Sequence, residues 1–477
     1  MGLDVEAEMS TLLGEQALRS GARARPYLSD STESQGLVGR ADAVVAPADV
    51  DEVRAVVGWC YERGVPIVPR GGGTGFSGGA VPVEGGLVLS LERLDRVRSF
   101  EPELWRIEVE AGVRTGTVHQ LARGSGLMFP PDPGASEQSM IGGNLACNAG
   151  GPHSFKYGVT GAWVTGLEAV VAEGRLIRWG GPFRKDVAGY DVRSLLIGSE
   201  GTLGVIVSAW LRLTPSPEEA IPVVAAYATQ EAGVAAMARV YGFGLIPAVL
   251  EYFDAGTVEA TRGAFPGGLP DQARFLVMVE ADGTKAGAAA LADALIEALS
   301  PDAVAVRMIM SPEQTAGLWR WRNGVSFGVS AQAGGKMSED VAVPFDRLGE
   351  AIAMVVEVGE AHGLRACSWG HAGDGNLHAT FMIDAASADQ VARAAAASEV
   401  LFARALALGG TVSGEHGLGW VKRGQFDRQF GPEEAALQRS IKALFDPKGL
   451  FNPGKKVPPK LLPSTGGVEQ SGSSLGS

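Results

Sequence analysis

Cysteine is scarce in this sequence of 477 residues, which carries only Cys60, Cys147 and Cys367. The three share no metal-type spacing and offer no disulfide framework, so a reducing compartment is the simplest reading. They cannot hold an iron–sulfur centre either, since that takes a cluster of cysteines. No block of Lys or Arg occurs and the formal net charge is −13, which argues against nucleic acid, whose binders need a basic footprint. Long hydrophobic runs are also missing. The longest charge-free stretch, 138–155, is rich in Gly and Asn and unsuited to a membrane-spanning helix. Asp4, Glu6 and Glu8 stand where a signal peptide would place a basic region ahead of an apolar run. These absences point to a cytoplasmic protein without a transmembrane segment, with any attachment at the inner membrane made through a partner chain.

What is present is ordinary in bulk and unusual in one residue. A chain of this length exceeds one compact core, so two or three domains are expected. Hydrophobic residues at 45% and charged residues at 20% suit a globular protein. Glycine, however, numbers 67, clustered in short motifs between apolar segments. Such clusters mark loops where backbone comes close to something.

Along the chain, 1–35 reads as a helical extension. AVVAP from Ala43 reads as a strand, Asp49 or Asp51 as an N-cap, and the next segment as a helix ending at Gly64. VPIVPR is a second strand running directly into a glycine run at 71–79. LEAVVAEGRLIRW has the form of a hairpin with a Glu-Gly turn. TPSPEE at 214–219 reads as a linker. Beyond it the order strand, helix, strand, strand, helix, strand over 221–309 predicts a ferredoxin-like antiparallel sheet with helices on one face. Two alanine-rich helices follow near 350–362 and 386–408. The expected division is 1–35, a nucleotide-type domain over 36–215, a cap over 216–410, a returning segment over 411–460 and a disordered tail over 461–477.

Three glycine loops, at 70–79, 140–151 and 198–204, have the look of anion cradles, in which successive N–H groups converge without Cβ in the way. The first has no Lys-Ser/Thr ending, so it is not a P-loop. It also lacks a G-x-G-x-x-G opening a helix with an acid about twenty residues on, which excludes the common dinucleotide fingerprint. Thr74, Asn144, Asn148 and Ser199 lie inside the runs, and polar side chains there suit the pyrophosphate and ribityl hydroxyls of FAD. The blocks PRGGGTGFSGG, PPDPGASEQSMIGGNLACNAGG, KYGVTGAWVTGLEAV, KDVAGYDVRSLLIGSEGTLGVI, HAGDGNLH and GEHGLG, spread in this order over about 40–457, resemble the FAD-linked oxidases of the vanillyl-alcohol oxidase superfamily. Within it the chain is similar to the flavin-binding chain of glycolate oxidase and to the D-lactate and D-2-hydroxyglutarate dehydrogenases.

The resemblance implies an α+β architecture, a PCMH-type FAD-binding domain of two α/β subdomains with a cap over the isoalloxazine. It implies FAD contacts from Arg70, Gly71, Gly72, Gly73, Thr74 and Gly75 in the first loop. Pro131, Gly142, Gly143, Asn144, Asn148 and Gly151 would serve in the second, and Gly198, Glu200, Gly201 and Gly204 in the third. Asn452 and Lys422 lie in further matching motifs. No histidine stands in 70–79, so a covalent link there is not expected and FAD is non-covalent.

Only six histidines occur. His371 and His378 bracket a Gly-Asp-Gly turn that lets both imidazoles converge, whereas on an unbroken strand an odd separation sends side chains to opposite faces. Glu415 and His416 follow in GEHGLG; adjacent residues in extended backbone point apart, so they are expected to have different jobs. The reading is a divalent metal, zinc with manganese or iron as alternatives, held by His371, His378 and Glu415 with positions left for substrate; the resemblance implies the same ligands. The metal would bind the hydroxyl and carboxylate of a small 2-hydroxy acid and lower the hydroxyl pKa. His416 would take the proton, and flavin N5 the hydride, which no side chain can accept. Arg322 matches the family's carboxylate-binding arginine, and Asn376 would orient substrate or flavin. Around Lys336-Met337-Ser338-Glu339-Asp340 the chain departs from the 2-hydroxyglutarate pattern of a lysine and tyrosine, which favours lactate or glycolate. The competing readings are a 2-hydroxyglutarate-type dehydrogenase and a metal-dependent hydrolase on a related scaffold. A separate iron–sulfur or electron-transfer subunit is the expected partner.

Overall fold

The computed structural model describes residues 4–32 and 36–459; the tail expected to be disordered from 461 lies outside the described residues. The strand Ala43–Val45 leads into the helix Val50–Arg63. Asp49 caps that helix by accepting from Glu52 N, and Gly64 ends it in the left-handed conformation at φ 70°. The strand Ile67–Arg70 returns parallel, but Leu87–Ser90 lies between the two and pairs with both. The first glycine run therefore leaves the carboxyl end of a buried parallel strand, where such sheets bind ligands.

A second sheet of five strands has the order Val97–Glu101, Arg106–Glu110, Val205–Arg212, Val164–Val171, Arg175–Gly180, all antiparallel. Its hairpin turns through Glu173 (φ 63°) and Gly174 (φ 75°), the two left-handed residues that match strand twist.

The third sheet has seven strands in the order Ala303–Met308, Glu219–Tyr227, Phe275–Gly283, Val249–Phe253, Arg365–His371, Asn376–Met382, Lys336–Ala342. The first four have the order of a ferredoxin-like sheet, and the last three extend it. One face is buried beneath the helices Gln230–Gly242, Lys285–Leu299, Leu348–Ala361 and Ala388–Ala407. The sequence predicted helices on this face alone; the structure also places Ala255–Thr261 and Pro312–Ala331 on the other. The reason is a narrow stripe: Leu318, Trp321, Val325 and Val329 recur at helical spacing and are buried against Phe253 and Trp369. A stripe covers only part of a sheet face. The rest of that face is left for polar side chains, and the candidate site is there.

Candidate active site

His371 ends the strand Arg365–His371, and His378 lies in Asn376–Met382, the other arm of a hairpin turned at Ala372–Asp374 with Gly375 at φ 75°. A Cβ on Gly375 would meet Val343 O at 2.0 Å, so only glycine fits this turn. Trp369 is the direct partner of His378, which puts His371, two residues on, on the same face. Among the described residues, His371, His378 and Glu415 form the one group whose nitrogen and oxygen ligand atoms all lie within 4.8 Å of one another. Glu415 Oε1 is 3.7 Å from His371 Nε2 and 3.5 Å from His378 Nε2. A tetrahedral site with bonds of about 2.1 Å has edges of about 3.4 Å, so the three residues fit a divalent ion with little movement.

Adjacent Glu415 and His416 do not point apart as expected: His416 Nε2 is 3.8 Å from Glu415 Oε1. The cause is Asp340, a fully buried carboxylate. It accepts from both backbone amides, at 3.0 Å from Glu415 N and 2.9 Å from His416 N, and so bends the loop. It also accepts from Ser413 Oγ at 2.7 Å and Asn376 Nδ2 at 2.6 Å. Lys422 donates to the carbonyls of Asp340 and Val412. The amide nitrogen of Asn376 is thus spent on Asp340 and Val341 O, while its buried Oδ1 has no partner, a state that suits contact with a bound molecule.

Charges are tightly matched here. Burial raises the Glu415 carboxyl, but His371, His378 and His416 outweigh it and hold it at about 2. Burial likewise opposes ionisation of Glu251, yet Arg322 and His371 bring it to about 2. For His371 burial acts downward and is overcome by Glu251 and Glu415, which raise it well above the usual imidazole range. Burial takes His378 down to about 3, so it stands neutral, the form that ligates metal.

This cluster sits against all three glycine loops. Leu418 N and Gly419 N donate to Glu200 at 3.1 and 2.6 Å, and Trp420 N and Val421 N to Ser77 O at 2.8 and 3.1 Å. A Cβ on Gly150 would lie 3.1 Å from Glu415 Oε2. The imidazole of His416 packs on Phe76 with ring centroids 5.0 Å apart. A Cβ on Gly72 would meet Gln138 O at 2.4 Å, so the first loop runs against the backbone leading into the second, and one on Gly142 would meet the Ala111 methyl at 2.6 Å. A Cβ on Gly75 would meet nothing within 4 Å, and one on Gly143 only Gly71 at 4.0 Å. Ser199 Oγ is buried without a partner. A cradle open at two glycines and carrying an orphaned hydroxyl fits a phosphate-bearing cofactor such as FAD.

Several side chains expected at the cofactor hold the loops. Arg70 spends its guanidinium on Ser29 O and Pro26 O at 2.7 and 2.9 Å. Asn144 donates to Thr115, and Asn148, at φ 54°, accepts from Gly161 N. Glu200 clamps the C-terminal loop, Asn452 donates to Gly79 O and Glu200 O, Thr74 O accepts from Ser31, and Pro131 O bonds to His119. A Cβ on Gly71 would lie 3.3 Å from Gly143 N, and one on Gly73 would run into the Arg70 guanidinium. Gly151 abuts Asp132, and Gly198, Gly201 and Gly204 all have positive φ.

Residues not singled out from sequence also converge. Arg322 donates to Glu251 Oε2 at 2.8 Å from Nε. The signal for Glu251 was available, as an acid inside the otherwise apolar strand Val249–Phe253. His153 bridges Asp132 at 2.6 Å and Glu280 at 3.2 Å and stacks on Trp319, joining the cap to the glycine-loop half.

Comparison with known proteins identifies the family. The family of the C-terminal domain of FAD linked oxidases matches residues 216–456, and the FAD binding domain matches residues 41–180. Glycolate oxidase subunit GlcD of Bacillus subtilis is 36% identical over 416 residues, covering 87% of this chain and 88% of that protein. D-lactate dehydrogenase of Archaeoglobus fulgidus is 34% identical over 418 residues, covering 87% and 91%. D-2-hydroxyglutarate dehydrogenase of Xanthomonas citri pv. viticola is 37% identical over 425 residues, covering 87% and 88%. Among solved structures, p-cresol methylhydroxylase superposes with a TM-score of 0.78 at 18% identity over 95% of this chain and 96% of that one, a likeness of fold. The chain belongs to the FAD-linked oxidase family and is an FAD-linked oxidoreductase with a PCMH-type FAD-binding fold.

Proposed function

We propose that this chain oxidises a small D-2-hydroxy acid of the lactate or glycolate type to the 2-oxo acid. The observation that carries the proposal is the cluster of His371, His378, Glu415 and His416, whose 415–421 loop runs against all three glycine loops. The names of the relatives support it, since glycolate, D-lactate and D-2-hydroxyglutarate are all 2-hydroxy acids. Bound FAD supplies the two-electron acceptor, and a divalent ion, zinc first, supplies Lewis acidity. His371 and His378 would hold that ion through Nε2 and Glu415 through its carboxylate. Arg322, on the helix Pro312–Ala331, would bind the substrate carboxylate through its planar fork. His416, its backbone fixed by Asp340, would accept the hydroxyl proton. Asn376 would orient the substrate or flavin through the Oδ1 that no protein group uses. The glycine loops, with the residues that brace them, would hold the cofactor.

One observation favours a second reading, a substrate with a second carboxylate as in 2-hydroxyglutarate. Lys336 donates to Ser326 Oγ, one helical turn along from Arg322, and lies over the Trp369 ring at 5.3 Å. Burial draws it down to about 8, and no carboxylate offsets that burial. A buried cation of this kind would welcome an anion from the ligand.

Electrons would leave through a separate subunit. Glycolate oxidase GlcD is named as a subunit, and this chain's free cysteines Cys60, Cys147 and Cys367 belong to three separate elements. Among the described residues no helix is long and apolar enough to cross a membrane. The test is anaerobic bleaching of the flavin band by a panel of D- and L-2-hydroxy acids. Fast bleaching by D-lactate or glycolate supports the first reading; bleaching by D-2-hydroxyglutarate alone supports the second; bleaching by none refutes both.

A further inference from the structure

Glu251 touches neither the glycine loops nor the carboxylate of the three possible metal ligands, yet both of its oxygens are in use. It lies fully buried in the strand Val249–Phe253, directly opposite His371. Oε1 accepts from His371 Nδ1, and Oε2 accepts from Arg322 Nε at 2.8 Å and Nη2 at 2.7 Å. A carboxylate is costly to bury unless it is paired and hydrogen-bonded, and this one is paired on both sides. The bond to Nδ1 holds the imidazole ring in one orientation, with Nε2 facing Glu415. The bond to Arg322 fixes a guanidinium arriving from the helix Pro312–Ala331, an element that packs across the sheet face from the strand.

We infer that Glu251 is a positioning residue that holds His371 and Arg322 in register, so that the ion and the arginine present their two contacts to a 2-hydroxy acid at one fixed spacing. This rests on the function proposed above. A 2-hydroxy acid carries its hydroxyl and carboxylate on adjacent carbons, so its two handles are rigidly spaced. Two protein contacts tied to a single buried carboxylate cannot drift apart, and loss of such geometry is expensive in rate.

The test uses the full chain loaded with FAD. In Glu251→Gln the size is kept, but one oxygen becomes an NH2 that opposes either His371 or Arg322. Zn2+ affinity, measured by competition with a chromophoric chelator, is expected to weaken by about 10- to 100-fold. The KM for D-lactate is expected to rise about tenfold. Flavin content and a cooperative melt qualify the variant as folded. Arg322→Lys raises KM while leaving Zn2+ affinity at the wild-type value, and its effect on KM largely disappears in the Glu251→Gln background. Glu251→Asp, whose shorter side chain cannot span both partners, serves if the first variant does not fold and is expected to weaken Zn2+ binding as well. Either folded variant binding Zn2+ as tightly as wild type overturns the inference alone. A wild-type protein whose Zn2+ binding is absent, or is indifferent to His378→Ala, overturns the underlying metal reading and this inference with it.

Discussion

Replacing Asp340 by Asn tests whether a single buried carboxylate shapes the loop that carries Glu415 and His416. Its Oδ2 receives Ser413 Oγ at 2.7 Å, His416 N at 2.9 Å and Glu415 N at 3.0 Å, while Oδ1 receives Asn376 Nδ2 at 2.6 Å. An asparagine keeps only one acceptor oxygen. In the better orientation it keeps the three contacts of Oδ2 and turns an NH2 group toward the Asn376 amide, losing one short bond to a charged acceptor and setting donor against donor. Hydrogen bonds to charged groups are worth about 1.5–3 kcal/mol. The lost negative charge also removes one of the two carboxylates beside the buried Lys422, Asp340 at 4.0 Å, and leaves only Glu339 at 3.7 Å. A cost of about 3 kcal/mol follows, and if half of it falls on the loop, Zn2+ affinity drops about tenfold. Thermal unfolding of FAD-loaded protein measures the first figure and chelator competition the second. Unchanged melting together with unchanged Zn2+ affinity would refute the reasoning, because the loop would then keep its shape without the carboxylate.

The other predictions concern the cradle and the second substrate reading. Gly75→Ala adds a methyl to open space, so the apoprotein melts as wild type while FAD affinity falls; Gly72→Ala, whose Cβ meets a backbone oxygen at 2.4 Å, destabilises the apoprotein itself. Equal effects of the two on apoprotein melting would contradict an open cradle at Gly75. Lys336→Met is expected to cut kcat/KM for D-2-hydroxyglutarate by about 10- to 100-fold, the worth of one buried charge-assisted contact, with D-lactate unaffected. Because burial lowers the folded-state Lys336 to about 8, the unfolded chain binds the extra proton between about 8 and 10.4, so stability rises with pH across that window. The KM for the dicarboxylate rises with pH through about 8 as the ammonium is lost, and a flat pH profile of that KM would remove Lys336 from the substrate's surroundings.

Much of this was legible in the sequence for reasons of local chemistry. Asp49 and Gly64 announce the ends of a helix, and Glu173-Gly174 a tight turn, because those conformations depend on the residues themselves. The motifs around His371, His378 and Glu415 pointed to one cluster, and the hairpin at Gly375 brings the two imidazoles to one sheet face. What the sequence hid was tertiary. Glu251, Asp340 and Lys336 act through partners 120, 76 and 10 positions away, His371, His416 and Ser326, and no local pattern encodes such pairings. The opposition expected of Glu415 and His416 assumed extended backbone, whereas Asp340 gathers both amides and turns the loop. Arg70, Asn144 and Asn452 sit in glycine-rich motifs yet spend their side chains inside the protein, because a loop shaped for a ligand must first satisfy its own buried polar groups.

The most direct measurement is the anaerobic rate of flavin reduction by the preferred D-2-hydroxy acid before and after chelation, with flavin content monitored throughout. With the ion removed and FAD retained, reduction is expected to slow by about 100-fold or more and to recover when Zn2+ or Mn2+ is returned. FAD-replete, metal-free protein that is reduced at the full rate would contradict the account, since the cluster of His371, His378 and Glu415 would then have no part in the chemistry.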